Sequence, residues 1–192
     1  MKRKRNMISK SQIIICIAIL FVLLYANNYH ITAEGAARKA GFFHKKAKLV
    51  SSISKGADNI LLFEDDTAYY TVPVHRAILA WKASKNQYWT SKTQSPIQVV
   101  GGTVNGNSLN GSTVLFLTCT DPNVTKITMD VGGHTIQKDI TQKEYIPFSW
   151  NIGCSREEIT GTACSKTDKL LYRTVHASAD KRKRQWITWT EA

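Results

Sequence analysis

Ile13 to Ala26 is a run of fourteen residues without a charge, and basic residues bracket it on both sides. A segment of that character, with basic residues around it, is expected to be membrane-directed. Lys2, Arg3, Lys4, Arg5 and Lys10 precede it with no acid; six Lys or Arg follow it by residue 56, against one acid, Glu34. These first 56 residues hold +10 of the formal +12 charge, and the remaining 136 carry fifteen basic and thirteen acidic side chains. The basicity therefore belongs to the surroundings of the apolar run, and the expected partner is a membrane, with no nucleic acid.

Fourteen helical residues span about 21 Å, short of the roughly 30 Å hydrocarbon layer. That length suits a cleaved signal peptide or a short signal-anchor. Leu24-Tyr25-Ala26 offers only one of the two small residues a cleavage site needs, which favours an uncleaved anchor. Residues 1–30 are thus expected to form a basic cytoplasmic tail and a single membrane helix. The acid-free N-terminal flank places the rest of the chain outside the cell membrane. Cys16, inside the run, reads as a membrane-embedded thiol.

Residues 31–56 are expected to form a basic juxtamembrane helix or linker. Phe42, Phe43, Ala47, Val50 and Ile53 approximate one helical stripe. Arg38, Lys39, Lys45, Lys46, Lys48 and Lys55 supply the charge for contact with an anionic membrane surface or an anionic envelope polymer. Another membrane or envelope protein is a further candidate partner.

From residue 57 to 192 the texture changes to short β-branched and aromatic runs separated by turn residues. The expected strands are Ile60–Phe63, Tyr69–Val72, Ile78–Trp81, Ile97–Val100, Val114–Cys119, Ile127–Val131, His134–Ile140, Tyr145–Trp150 and Leu170–His176, with Gln185–Trp189 closing the series. Pro73 marks its strand as an edge or a bulge. Gly132-Gly133 between alternating runs reads as a hairpin turn. The fold class is mainly β, an antiparallel β-sandwich or partly open barrel behind an N-terminal membrane helix.

Three cysteines lie in this region. Cys154 and Cys164 sit in a Gly/Ser/Thr-rich stretch read as a loop and are the disulfide candidates; Cys119 ends an apolar strand and reads as a core thiol. No short His/Cys ligand pairs suggest a metal, and no phosphate loop or nucleophile elbow suggests a cofactor. Glu64, Asp65 and Asp66 read as a solvated acidic turn. Lys181-Arg182-Lys183-Arg184 reads as a solvated basic turn. Tyr88-Trp89 and Trp186 with Trp189 could offer stacking surfaces for a glycan or pack into the fold.

Leu115-Phe116-Leu117-Thr118-Cys119 resembles the T-L-x-T-C strand of sortases, membrane-anchored cysteine transpeptidases. The resemblance covers five residues and implies Cys119 as nucleophile, with His75 as the candidate base. Leu115 and Phe116 stand where that pattern has Thr and Leu, and no arginine follows Cys119 before Arg156. The favoured expectation is a non-catalytic binding or interaction module held near an anionic surface, and the alternative is an envelope enzyme using Cys119.

Overall fold

The computed structural model describes residues 10–41, 43–104, 111–140, 145–176 and 187–192. Helix α1 (Lys10–Ala26) leads into the short strand β1 (Tyr29–His30) and helix α2 (Ala33–Lys39). Then follow β2 (Lys48–Lys55), β3 (Asp58–Glu64), β4 (Ala68–Ala77), β5 (Ala80–Ala83), β6 (Tyr88–Ser91), β7 (Ile97–Val104) and β8 (Thr113–Cys119). The rest are β9 (Lys126–Val131), β10 (His134–Asp139), β11 (Ile146–Trp150), β12 (Ile159–Cys164), β13 (Leu170–His176) and β14 (Ile187–Glu191). The protein is mainly β, and its sheets are antiparallel.

Three sheets stack in layers. The first has the order β1-β5-β4-β3-β2 with β6 also on β4; the second is β11-β8-β7; the third is β10-β9-β12-β13-β14. Helix α2 covers part of the outer face of the first sheet, where Ala36 and Ala37 pack on Leu61, Phe63, Val72 and Val74. The inner face, through Ile60, Leu62 and Tyr69, meets Val100, Val114 and Phe116 of the second sheet. Leu115, Leu117 and Cys119 point the other way, against Ile127, Met129, Val131 and Ile159 of the third. Strand β8 is therefore buried on both faces, which explains why Val114 to Leu117 is apolar without alternation.

The first and second sheets approach closely because Gly101 has no side chain. A Cβ there would fall 2.1 Å from Thr71 Oγ1 and 2.9 Å from Leu62 Cδ1. The neighbouring amide of Gly102 donates to that same Thr71 hydroxyl at 3.2 Å. In the third sheet the expected Gly132-Gly133 turn joins β9 to β10, with φ of 56° and 83°, values that glycine adopts without steric cost.

Several expectations are corrected. Residues 31–56 are not one helix or linker: after α2, Lys48–Lys55 form an edge strand of the first sheet, so the folded unit begins well before residue 57. A register shift between Leu49 and Ser51 explains the misreading. The bulge puts Val50 and Ile53 into the same cluster, and their three-residue spacing imitates a helical stripe. Ile159–Cys164, read as a disulfide loop, is a central strand with Ile159 and Ala163 facing the core. Pro73 is neither at an edge nor at a bulge. It lies between the β6 pairing, which ends at Thr71, and the β5 pairing, which begins at Val74, so no partner on that side requires its missing N–H.

Ile78 and Leu79, expected in a strand, instead form the two-residue loop between β4 and β5. Ile78 has φ 51°, a left-handed conformation that costs a β-branched residue about 1–2 kcal/mol. The expected membrane helix over 1–30 is described from Lys10 onward, and among the described residues no helix is long and apolar enough to cross a membrane.

Candidate functional site

The strongest candidate for ligand contact is a shallow groove of about 380 Å³ on the outer face of the first sheet, lined by Thr67, Ala68, Tyr70, Trp89 and Ser91. Two cross-strand pairs between β4 and β6 build its floor, Tyr70 opposite Trp89 and Ala68 opposite Ser91. Trp89 remains 36% exposed, although an indole of this size would ordinarily be covered in a core. Phe43 closes the far side of Tyr70: its ring lies 5.7 Å from Tyr70 and stacks on Phe63 at 4.4 Å. His44, Lys45 and Lys46, the next three residues in the chain, are exposed.

Asp65 holds the β3–β4 turn beneath the groove. Its Oδ1 accepts from the Thr67 amide at 2.8 Å, the Thr67 hydroxyl at 2.9 Å and the Ala68 amide at 2.9 Å, and Tyr70 donates its hydroxyl to Oδ2 at 2.8 Å. Burial acts to raise the Asp65 carboxyl, but these donors, led by the Thr67 amide, bring it down to about 2. A depressed carboxyl contributes stability that is present above its unfolded value, near 3.8, and lost as pH falls toward 2. Discounted for solvent screening, the contribution is on the order of 1 kcal/mol. Thermal melts at pH 5 and pH 2.5 should show a smaller acid-induced loss in Asp65→Asn than in the native chain; equal losses would remove this role.

A second polar group joins the sheets at the same end of β3. Glu64 pairs with Lys92 at 2.6 Å and accepts a hydrogen bond from the Tyr145 hydroxyl, while Lys92 lies 5.3 Å from the Tyr69 ring centre. Desolvation works to raise Glu64, yet its bonds to Lys92 and Tyr145 leave it below the usual range. Desolvation, together with the Glu64 bond, pushes Tyr145 up. Carboxylate, amine and phenol are committed to one another, which makes this a staple between layers.

The Cys119 and His75 pair is not brought together. Cys119 ends β8 opposite Ile97, is 3% exposed, and its thiol points to the Asp121 carbonyl at 3.8 Å. Burial, the largest influence, pushes the thiol above its ordinary value. His75 is on exposed β4 surface, with Nδ1 2.7 Å from Asp58 Oδ1. A nucleophilic thiolate needs the reverse setting, a neighbouring base and positive charge.

Cys154 and Cys164 are also apart and are free thiols. Cys154 contacts the Thr113 hydroxyl at 3.3 Å in the core. Strand β12 carries Cys164 about 16 Å beyond Ile159, to a position opposite Lys126. Bridged cysteines need Cα atoms within about 7 Å.

The six basic residues expected to serve one membrane surface divide into two groups. Arg38 bonds Glu34 at 2.7 Å and the Ala47 carbonyl at 3.0 Å, with its guanidinium 5.2 Å from the Phe63 ring centre, so it fixes the 43–47 segment. Lys39 donates to the Tyr25 carbonyl at 2.6 Å and ties α2 to the end of α1. Lys55 donates to the Trp150 carbonyl and, at 2.9 Å, to Asn151. Burial lowers its ammonium below the ordinary value. Lys45, Lys46 and Lys48 remain exposed, Lys48 lying opposite Glu64 in the β2–β3 register.

Among the described residues no cluster of three His, Cys, Asp or Glu could hold a metal ion. The basic run Lys181 to Arg184, and Trp186, lie outside the described residues; Trp189 is buried against the third sheet. The pairing of Tyr70 with Trp89 escaped sequence reasoning, because only the β4–β6 register creates it; the adjacent Tyr88-Trp89 was the available signal. Compared with protein-family models, curated proteins and solved structures, the chain matches none.

Proposed function

We propose that this protein is a membrane-tethered, non-catalytic binding module, with α1 as its anchor and the Trp89 groove as its ligand contact outside the cell. The observation that carries the reading is α1 itself. Eight of its Ile, Leu, Phe and Val side chains are at least 48% exposed, on every face of the helix. A helix apolar all round belongs in a core or a bilayer, and the folded layers cover it in neither sense. Transfer of those side chains to hydrocarbon is worth about 1 kcal/mol apiece at half exposure.

Seventeen residues reach about 26 Å, a few ångströms less than the hydrocarbon layer, and local thinning of the bilayer accommodates a mismatch of that size. The basic, acid-free residues before the helix favour an inside N-terminus and an outside β domain. Exposed Trp89 supplies a stacking face, and the exposed Lys45 and Lys46, which follow Phe43 in the chain, supply positive charge. That combination suits an anionic saccharide of the cell envelope.

Two measurements test the reading. Protease added to intact cells should digest the β domain and leave a membrane-bound stub resistant to alkaline extraction; full protection of the domain, or its release, overturns the anchor. Titration with soluble polygalacturonate, read by tryptophan fluorescence, should show binding that weakens about tenfold in Trp89→Ala, a loss of about 1.4 kcal/mol. Unchanged affinity in that variant removes the groove as the ligand contact.

A further inference from the structure

The loop between β4 and β5 is built against the usual rules of hairpin turns. Two-residue loops that require positive φ are ordinarily filled by Asn, Asp or Gly. Here Ile78 takes the left-handed position, and Ile78 and Leu79 are 89% and 75% exposed. Neither residue is chosen for the turn, and neither packs on the fold. Ile31 is a third apolar side chain at the same end of the sheet, 69% exposed. It follows the β1–β5 pairs, Tyr29 with Lys82 and His30 with Trp81, which advance toward Ala80 and the loop.

A short connection keeps this apolar tip near the end of α1. The Asn28 amide donates to the Tyr25 carbonyl at 3.2 Å, and Asn28 has φ 63°, so the helix stops in a left-handed cap directly before β1. Only Asn27 and Asn28 separate α1 from β1, and the residue after β1, Ile31, falls beside the start of β5, so the tip lies within a few residues of the helix end. Lys39, bonded to the Tyr25 carbonyl, holds α2 to the end of α1. Arg76 and Lys82, both exposed, flank the tip, Arg76 with its guanidinium 5.9 Å from the Trp81 ring centre and Lys82 with its ammonium 5.1 Å from that of Tyr29. Apolar side chains at a tip, with cations and aromatic rings immediately behind, match the depth profile of a bilayer interface: hydrocarbon first, headgroups next.

We propose that the Ile78–Leu79 hairpin is a second membrane contact, which dips into the interfacial layer of an anionic bilayer beside α1 and fixes how the β domain sits on the surface. The inference rests on α1 being a membrane anchor. A two-residue connection between α1 and β1 leaves the domain no tether with which to stand away from the surface, and the tip belongs to the end of the first sheet that this connection holds close to it.

The test uses the full chain reconstituted into vesicles of phosphatidylcholine and phosphatidylglycerol, with p-benzoylphenylalanine in place of Leu79 or, as a control, of Lys166 in the exposed β12–β13 turn of the third sheet. Irradiation should give a lipid adduct at position 79 at least five times more abundant than at 166. Arg76→Gln with Lys82→Gln should lower the yield at 79 severalfold while the protein still floats with the vesicles. A chain that does not float overturns the anchor and the hairpin contact together. A chain that floats but gives no adduct at 79, equal adducts at both positions, or an adduct to a second protein chain overturns the hairpin contact alone.

Discussion

Ile17→Lys combined with Leu20→Lys should transfer the protein from the vesicle fraction to the soluble fraction while leaving the melting temperature of the β layers unchanged within about 1 °C. Both side chains are on the exposed surface of α1, at 48% and 51%, so neither substitution opens a cavity. Each lysine near the middle of a membrane helix costs about 2.5–3.5 kcal/mol on the insertion scale. Two of them amount to about 6 kcal/mol, a shift in partition of more than four orders of magnitude. A short helix has little reserve against that loss, because snorkelling from Ile17 must cover nearly half its length in either direction. Flotation through a density gradient, followed by alkaline extraction, reads the partition, and calorimetry of the same samples reads the fold. Continued flotation would show that α1 is not the anchor; loss of the thermal transition would show that α1 is a structural part of the fold.

The elements that could be read from the sequence are those in which local pattern and tertiary position agree. Ile127, Met129 and Val131 alternate because one face of β9 meets the core, and Gly132-Gly133 supplies the positive φ its turn requires. The unalternating apolar run of β8 likewise announces a strand covered on both faces. Elsewhere tertiary structure overrides the local signal. Strand β12 escaped detection because its inward positions include Gly161 and Ala163, too small to look like a core face; at Gly161 the space is taken by Met129 and Trp189, and a Cβ there would lie 2.5 Å from the Met129 sulfur. The bulge in β2 disguised a strand as a helix, and Ile78 disguised a turn as a strand.

The candidate site was less legible than the fold for a related reason. Tyr70 and Trp89 are nineteen positions apart in the sequence and meet only through the register of β6 on β4. A basic residue's role is equally invisible before its partners are known. Arg38, Lys39 and Lys55 look identical to Lys45 and Lys46 in a charge count, yet the first three are bonded to backbone carbonyls of the fold, whereas Lys45 and Lys46 stay exposed. The Cys119 motif misleads in the opposite sense, since five residues of pattern cannot specify the base and cation that make a thiol reactive.

Phe116→Ala should destabilise the protein by about 4 kcal/mol, a large fraction of the 5–15 kcal/mol that holds a typical domain together. Phe116 is completely buried between the first and second sheets, with Ile60, Leu62, Tyr69 and Val114 around it. Its neighbour Leu117 is equally buried but faces the third sheet. At about 2–4 °C per kcal/mol for a chain of this size, the melting temperature should fall by about 12 °C in Phe116→Ala, with a comparable though smaller fall in Leu117→Ala. Because β8 is the shared middle layer, both variants should retain one cooperative transition, and tryptophan fluorescence and far-ultraviolet circular dichroism should follow the same curve. Gly101→Val probes the same layer by insertion: its Cβ meets the Thr71 hydroxyl at 2.1 Å, so β7 must separate from β4, and a loss of several kcal/mol is expected. Two resolved transitions, with Phe116→Ala shifting only one of them, would show that the sheets fold as separate units and that the middle layer does not couple them.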